Sequence, residues 1–499
     1  MRKIGFAIVI SALWFAVGCG GSSSSSTPTT PTAPTTPTST TAPVAECIQF
    51  LDNSFFFGTV RLADVRIGGT TLGGSAVNVA PLDVNAGPVS SNPQVNVAFT
   101  TVQVCTPGST TSCVIIPNVA VDTGSTGLRI PASLLSTLNL PNVTLSTSTP
   151  ATGGSTSSSE LASSVPIHVM GDTSIPTGNS IPTTCSTVPT GTGSTTQGQE
   201  EDSVVALGAN GLLGVGNFQY DCDYVGVSNP CTSSTTLPPG TYYTCTSTSC
   251  TPSAVPVAQQ VRNPVSLFTD NNGVILELQS VATGVGAATV PNGSLFFGIG
   301  TQTNNGLSSS AVVLPLDPNL SDSAWMGFTT VFNNVSYPNS TENNLLLANS
   351  NDTIGTIGSF LDSGSNGIFF LDQPTSGIAD CSSNRGENYF YCPGSTQSFP
   401  TVTNRAFNGN VSPAPFDVTS AITLFNNNPT YTAFSDLAGP NTPQNPGNPS
   451  SLQEAADGYF DFGLPFFFGR NVYTAIQGVT PPSTPVSGVS VPAGPFWAY

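Results

Sequence analysis

Apolar residues along the chain come in short runs, with polar residues between them, and this pattern favours strands over helices. No long stretch repeats its apolar residues at the 3.6-residue spacing of a capped amphipathic helix. Gly, Pro, Ser, Thr and Asn are abundant between the apolar runs, and these residues favour turns. The pattern therefore predicts a mainly β protein.

The first apolar run, Ile4–Val17, has a different meaning because the basic residues Arg2 and Lys3 precede it. It is too short to cross a bilayer comfortably, so residues 1–18 are predicted to be a signal peptide. The stretch A-V-G-C that ends at Cys19 resembles a bacterial lipoprotein box, which implies cleavage before Cys19 and lipidation of its thiol. An ordinary cleaved signal with an incidental cysteine is the alternative.

Residues 19–44 are predicted to be a tether. Gly20–Ser26 contains only Gly and Ser, and Thr27–Pro43 contains only Thr, Pro, Ala and Ser. Such a composition cannot bury a core and forms a flexible to semi-rigid spacer. We therefore expect an exported protein of the cell envelope, anchored by lipid to a bacterial membrane and facing the periplasm or the surface.

The charge balance argues against one class of partner. Charged residues make up 7% of the chain, and the formal net charge is −18, which becomes −20 once Arg2 and Lys3 are removed. Such a protein repels phosphate backbones, so we expect no nucleic-acid partner.

The eleven cysteines are consistent with export. If Cys19 carries lipid, ten remain, enough for five disulfides in an oxidising compartment. Spacing suggests pairs that sequence alone does not fix: Cys105–Cys113, Cys222–Cys231, Cys245–Cys250, Cys381–Cys392 and, by remainder, Cys47–Cys185. A zinc site is the competing interpretation, but the chain has a single histidine, His168, and lacks paired C-x-x-C motifs. We expect no metal and no organic cofactor.

One motif occurs twice. V-A-V-D-T-G-S-T-G-L-R-I-P begins at Val119, and G-S-F-L-D-S-G-S-N-G-I-F-F-L begins at Gly358. Both contain an apolar strand, Asp, Ser or Thr, Gly, Ser, any residue, Gly and a second apolar strand. Among the aspartates of the chain only Asp122 and Asp362 have this context, and two unrelated Asx turns are the alternative. The repeat predicts two related halves, each holding one carboxylate on a tight turn.

These loops resemble those of the pepsin-like aspartic peptidases. Further segments agree in order with that family: G-L-L-G-V-G at Gly211, N-P-V-S-L-F at Asn263, N-G-S-L-F-F-G-I-G at Asn292, and F-D-F-G-L-P-F-F-F-G at Phe460. More narrowly, the chain resembles uncharacterised bacterial pepsin-like lipoproteins. The resemblance implies a mainly β, two-lobed, double-ψ fold with a central cleft, its lobes spanning residues 45–300 and 301–499.

The resemblance also implies an activity. Asp122 and Asp362 would share one proton, activate a water and hydrolyse peptide bonds of a polypeptide substrate. The flanking residues would support the two loops: Thr123 and Ser363 across the lobe junction, Ser125 and Ser365 on the outer carboxylate oxygens, and Gly124 and Gly364 where the backbone approaches. Gly214 and Gly463 would lie under the loops. We expect a monomer.

Two positions depart from the family pattern. No tyrosine occurs between Gly127 and Val215, where the family has its substrate-covering flap. We hypothesise a transposed flap hairpin within residues 47–73, with Phe55, Phe56 and Phe57 near its tip and a Cys47–Cys185 bond holding it; an ordinary first strand and hairpin fits the pattern equally well. Asp461 places a carboxylate where the family usually has an apolar residue.

Other functions remain as alternatives. A serine peptidase could use an Asp-Thr-Gly loop but needs a histidine base, and His168 is better explained as a strand residue. A weak or inactive pepsin-like surface lipoprotein could bind polypeptide or glycan in its cleft. A purely structural envelope lipoprotein would leave the paired loops unexplained.

Overall fold

The computed structural model describes most of the chain beyond the predicted tether. The ranges are residues 41–49, 54–172, 181–189, 195–223, 229–233, 241–246, 248–317, 327–337, 358–381, 389–440, 459–486 and 488–499. The predicted signal peptide, Cys19 and nearly all of the tether lie outside them. Within these ranges no helix is long and apolar enough to cross a membrane.

The described residues are mainly β-structure, as the sequence pattern predicts. The strands are β1 (Val44–Gln49), β2 (Ser54–Ile67), β3 (Val79–Val84), β4 (Ala98–Cys105), β5 (Cys113–Asp122), β6 (Thr126–Pro131), β7 (Thr152–Ser155), β8 (Glu160–Met170), β9 (Thr187–Pro189), β10 (Thr195–Gln197), β11 (Gln199–Glu200), β12 (Leu212–Val215), β13 (Tyr242–Cys245), β14 (Cys250–Pro252), β15 (Gly273–Glu277), β16 (Val290–Phe297), β17 (Val313–Pro315), β18 (Thr329–Phe332), β19 (Val335–Tyr337), β20 (Phe360–Leu361), β21 (Ile368–Phe370), β22 (Gln397–Phe399), β23 (Thr403–Arg405), β24 (Val411–Pro413), β25 (Phe416–Val418), β26 (Ala438–Gly439), β27 (Phe460–Phe462), β28 (Asn471–Ala475) and β29 (Phe496–Ala498).

The helices are short. The α-helices are α1 (Thr183–Ser186), α2 (Val204–Leu207), α3 (Gln373–Ser376), α4 (Ala421–Asn427) and α5 (Leu464–Phe467). Single 3₁₀ turns span Thr70–Leu72, Ala132–Leu134, Pro230–Thr232, Val257–Gln259 and Pro264–Leu267. The N-P-V-S-L-F segment at Asn263 forms the last of these turns, which the Asn263 side chain caps by accepting from Val265 N at 3.1 Å.

Six strands close a barrel in the first half of the chain. Strand β2 pairs with β8, β8 with β6, β6 with β12, β12 with β5, β5 with β4, and β4 again with β2. Their apolar side chains fill the interior, among them Val65, Val104, Val121, Leu128 and Ile167, all of which are buried. The first repeated motif joins β5 to β6, so its turn is held at one end of this packed barrel.

The second repeated motif lies in a separate four-stranded sheet with the order β20–β27–β21–β26. Phenylalanines pack around this sheet. The rings of Phe370 and Phe460 stack with centroids 5.0 Å apart, and Phe370 meets Phe416 edge-on at 5.1 Å. Because aromatic side chains bury large apolar areas, this cluster gives the second turn a rigid base.

Strands from the end of the chain return to the sheet of the first half. Strand β28 pairs along its whole length with β15, and β29 pairs with both β28 and β17. Strands from both sides of the predicted lobe boundary, between residues 300 and 301, are thus paired with each other. The two repeated motifs thus lie in different sheets, while later strands of the chain, β28 and β29, complete the sheet that holds the first motif.

The hairpin expected within residues 47–73 exists, as β1 pairs with β2. Its second strand also pairs with β8, so a segment upstream of Asp122 lies beside a strand downstream of it. Phe55, Phe56 and Phe57 lie near the start of β2, and all three residues are buried, with exposures of 1%, 0% and 7%. They therefore pack in the interior, and their place near the tip of a flap stays a prediction.

All ten remaining cysteines form disulfides, in the pairs that their spacing suggested: Cys47–Cys185, Cys105–Cys113, Cys222–Cys231, Cys245–Cys250 and Cys381–Cys392. The first bond ties β1 to α1 across 138 residues of chain, whereas Cys245–Cys250 spans only 5. Five disulfides indicate folding in an oxidising compartment outside the cytoplasm.

These two bonds provide a matched test of loop-closure entropy because their cysteines share one buried cluster. We expect the Cys47→Ser, Cys185→Ser double variant to lose about 3 kcal/mol more unfolding free energy than the Cys245→Ser, Cys250→Ser variant, because the cost of closing a loop grows with the logarithm of its length. Denaturant titration of both variants measures the difference. Equal losses would show that loop length does not govern the stability contribution of these bonds.

Candidate active site

The first aspartate sits where three strands meet. Strand β12 lies between β5, to which it is parallel, and β6, to which it is antiparallel. Gly214 of β12 faces both Asp122 and Gly127. A side chain at Gly214 would have its Cβ 2.6 Å from Thr126 N, so only glycine fits under this turn.

The second aspartate is held by the same arrangement. Strand β27 is parallel to β20 and antiparallel to β21. The Asp362 N–H donates to Phe462 O at 3.1 Å. A Cβ on Gly463, the next residue, would lie 2.5 Å from Ser365 O. Both repeats therefore fold into one local geometry, with a glycine beneath the aspartate that lies in the third strand (Gly214) or directly after it (Gly463).

The two turns are joined by reciprocal hydrogen bonds. The Thr123 hydroxyl donates to Leu361 O at 3.2 Å and accepts from Ser363 N at 2.9 Å. The Ser363 hydroxyl donates to Val121 O at 2.8 Å and accepts from Thr123 N at 3.1 Å. All four bonds are buried, so neither turn can shift without leaving polar groups unpaired.

The two carboxyl groups meet at this junction. They are close enough that each influences the pKa of the other. A Cβ on Gly124 would stand 2.6 Å from Asp362 Oδ1, and one on Gly364 would stand 2.6 Å from Asp122 Oδ1. The two glycines therefore allow each backbone to pass against the opposite carboxyl group.

Each carboxyl group also has donors from its own turn. Gly124 N donates to Asp122 Oδ1 at 2.7 Å, and Gly364 N donates to Asp362 Oδ1 at 2.8 Å. The hydroxyl of Ser125 donates to Asp122 Oδ2, and that of Ser365 lies 2.9 Å from Asp362 Oδ2. The six supporting residues named from the sequence are thus all brought around the pair.

Both aspartates have no exposed surface. Burial raises the pKa of Asp122, although hydrogen bonds and the charge of Arg129 act to lower it. Burial, followed by the charges of Asp122 and Asp461, raises the pKa of Asp362 well above its usual range. Two carboxyl groups this close cannot both ionise cheaply, so the pair holds one proton at pH values where an isolated aspartate has lost it.

Asp461 is a third carboxyl group at the site. It lies on β27 with 1% exposure, and its Oδ2 is 2.6 Å from the Ser365 hydroxyl oxygen. Burial and the charge of Asp122 raise its pKa well above the usual range, although the Ser365 contact acts to lower it. The sequence marks Asp461 only as an unusual residue for its position; the structure connects it to Asp362 through one hydroxyl.

A buried ionic network supports the first turn, and sequence reasoning missed it. Arg129 Nη2 lies 3.0 Å from Glu46 Oε1 and 3.7 Å from Asp221 Oδ2, and His168 Nδ1 lies 2.9 Å from Glu46 Oε2. Although burial opposes ionisation, Arg129 and His168 hold the pKa of Glu46 below its usual range. Charged residues inside otherwise apolar strands of a charge-poor chain were the available signal.

The network changes the interpretation of His168. This residue lies on β8, as expected, but it is fully buried against Glu46. It thus serves the network and is not arranged as the base of a serine triad. Within the described ranges, no cluster of His, Cys, Asp or Glu is suited to hold a metal ion.

Most of the chain matches a known protein family. The sequence profile of a family described as "Protein of unknown function (DUF3443)" matches residues 74–155 and 153–499. These segments include both aspartate turns, β12 and β27. No curated protein matches the chain.

The junction of the two turns can be tested by a pair of variants at one position. Thr123→Val preserves the shape of the side chain but leaves Ser363 N and Leu361 O unpaired, so we expect it to lower the unfolding free energy by about 2 kcal/mol or more. Thr123→Ser retains the hydroxyl and should cost about 1 kcal/mol or less. Denaturant unfolding measures both. Similar losses in the two variants would contradict a stabilising role for the hydroxyl.

Proposed function

The chain belongs to the DUF3443 family, and we propose that it is an aspartic endopeptidase with a two-lobed, pepsin-like fold. One observation carries the proposal: two Asp-Ser/Thr-Gly-Ser turns, 240 residues apart at Thr123 and Ser363, are bonded to each other so that Asp122 and Asp362 meet. Two distant turns with the same internal bonds are not expected from chance Asx turns.

The proposed reaction uses the proton that the pair retains. The ionised carboxylate takes a proton from a water as the water oxygen attacks the peptide carbonyl carbon, while the protonated carboxyl gives its proton to the carbonyl oxygen. In the second step the proton taken from water passes to the amide nitrogen. The C–N bond then breaks, and a hydroxyl of the tetrahedral carbon returns its proton to the other carboxylate. Both carboxyl groups end as they began.

The surrounding donors support this chemistry. Backbone N–H groups on Asp122 Oδ1 and Asp362 Oδ1 stabilise the ionised form without adding a competing base. The Thr123–Ser363 bonds fix the separation of the two groups, as catalysis by positioned carboxyl groups requires. An extended polypeptide is the substrate class for which such a pair is suited.

One observation favours a second candidate. Neither aspartate has exposed surface, so a substrate must displace part of its surroundings to reach the pair. A protein that binds polypeptide or glycan without cleaving it would tolerate the burial of both aspartates. We place this binding function second because it leaves the proton-sharing geometry without a role.

We also propose that the protein is anchored in the cell envelope through a lipid on Cys19, with residues 19–44 as a spacer. The disulfides support the compartment, and the A-V-G-C stretch and the tether composition support the anchor. The bonded halves contain all the elements of the site, so we expect a monomer.

The activity is tested with unfolded protein as substrate between about pH 3 and 7, the range over which a carboxyl pair shares a proton. We expect cleavage that pepstatin inhibits, and Asp122→Asn and Asp362→Asn should each lower kcat/KM by about 10³-fold or more. Asp83→Asn, which removes a carboxylate near the surface on β3, serves as the matched control and should retain activity. Tight binding of polypeptide without cleavage at any pH in this range would instead establish the binding function.

The anchor is tested by fractionation of cells that express the full chain. We expect the wild-type protein with the membranes and the Cys19→Ser variant in the soluble fraction, because one thiol carries the lipid. Ser23→Ala, within the tether, should fractionate like the wild type. If Cys19→Ser remains with the membranes, lipid on Cys19 is not the anchor.

A further inference from the structure

The Ser365 hydroxyl contacts two carboxyl groups at once. Its oxygen is 2.9 Å from Asp362 Oδ2 and 2.6 Å from Asp461 Oδ2. A serine hydroxyl has one hydrogen to donate and can accept through its lone pairs. It can therefore donate to only one of the two oxygens, and the other contact is a hydrogen bond only if that carboxyl group carries a proton.

The surroundings decide which group holds this proton. Asp461 Oδ1 is buried and makes no hydrogen bond to the described part of the chain. Its cross-strand neighbours are Phe360 and Phe369, and the charge that acts on it is that of Asp122, which opposes ionisation. An ionised group without a cation in such a place is costly. Asp362, by contrast, accepts from Gly364 N and lies against Asp122.

The first turn lacks this third carboxyl group. Asp461 lies two residues before Gly463, and the corresponding residue two before Gly214 is Leu212, which is buried. Ser125 thus donates to Asp122 and, among the described residues, makes no hydrogen bond to a second acid. The two turns make the same backbone hydrogen bonds but differ in whether a second carboxyl group contacts the serine hydroxyl.

We propose that Asp461 is a positioning residue, a role that rests on the proposed peptidase function. As a neutral acid, Asp461 donates a hydrogen bond to Ser365 Oγ and thereby directs the Ser365 O–H toward Asp362 Oδ2. The chain of donors runs from Asp461 through Ser365 to Asp362. This order of donors assigns the acid role to Asp362 and the base role to Asp122, because the positive charge of Arg129 favours ionisation of Asp122.

This chain acts when Asp362 gives its proton to the substrate carbonyl oxygen. Asp362 becomes a carboxylate, and a hydroxyl already aimed at its Oδ2 stabilises the new charge without reorganisation. Successive donors also polarise each other, which strengthens the last bond of the chain. When Asp461 ionises at higher pH it stops donating, competes for the Ser365 hydrogen and repels the charge on Asp362. The same residue therefore supports activity at acidic pH and lowers it as pH rises.

Two substitutions separate donation from ionisation. Asp461→Asn retains an N–H donor for Ser365 and cannot ionise, so we expect kcat/KM at acidic pH within about threefold of the wild type and an alkaline limb of the pH profile moved to higher pH. Asp461→Leu copies the first turn and removes the donor, so we expect kcat/KM to fall about tenfold at acidic pH. Asp436→Asn removes a buried carboxyl group that accepts from Gly284 N and should leave the profile unchanged.

A second measurement does not depend on peptidase activity. In protein labelled with ¹³C-aspartate, the carboxylic-acid carbonyl band in the infrared spectrum at neutral pH should lose intensity in both Asp461 variants, because native Asp461 is protonated there. Its raised native pKa means that the folded state binds one more proton than the unfolded state at pH values from about 4 up to that native pKa. For each pH unit in this range, the unfolding equilibrium constant of the wild type should therefore rise by a factor about tenfold larger than that of Asp461→Asn.

The outcomes are distinct. An unchanged band in both variants overturns the neutral acid, whatever the activity. A lost band with equal kcat/KM in Asp461→Leu and Asp461→Asn overturns the positioning role. If the band is lost in the variants but the wild-type protein cleaves nothing, the peptidase function is overturned while the proton on Asp461 is supported.

Discussion

The structure depends on the bonds between Thr123 and Ser363, because these hold together two groups that repel each other when ionised. Strands β5 and β20 belong to different sheets, and nothing in their local pairing brings their ends together. The hydroxyl of each residue bonds the backbone of the opposite turn twice. The barrel, the phenylalanine cluster and the returning strands β28 and β29 all serve to keep the two turns in this register.

The scarcity of cations shapes the electrostatics around this junction. Arg129 lies between Glu46 and Asp221 and also favours a negative charge on Asp122. Among the described residues, no comparable cation is a main influence on the pKa of Asp362 or Asp461. Buried carboxyl groups without a cation are stable mainly as neutral acids. The two turns therefore repeat one backbone geometry but differ in charge. The proposed reaction needs one acid and one base, and this difference meets that need.

Much of the site could be predicted because its geometry is local. The Asp-Ser/Thr-Gly-Ser sequence dictates the bonds from Gly124 N and Gly364 N, and short cysteine spacings suggest their own partners. The closed barrel and the return of β28 to β15 depend on long-range pairing, which periodicity does not specify. The run Phe55–Phe57 fits an exposed tip or a buried strand equally well by pattern, and only packing distinguishes them.

The same limit explains why the Arg129 network and the Ser365 contact were missed. Glu46 and Arg129 are 83 residues apart, and Ser365 and Asp461 are 96 apart. Glu46, Arg129 and Asp461 are each an isolated polar position in an apolar run, which suggests nothing about the partner. In a chain with so few charges, however, a buried Asp, Glu, Arg or His needs a partner or a proton, because an unpaired buried charge is too costly. A carboxyl group such as Asp461, on a central strand between two phenylalanines, must therefore be either paired or protonated, and its position relative to the repeated motif indicates which group its proton serves.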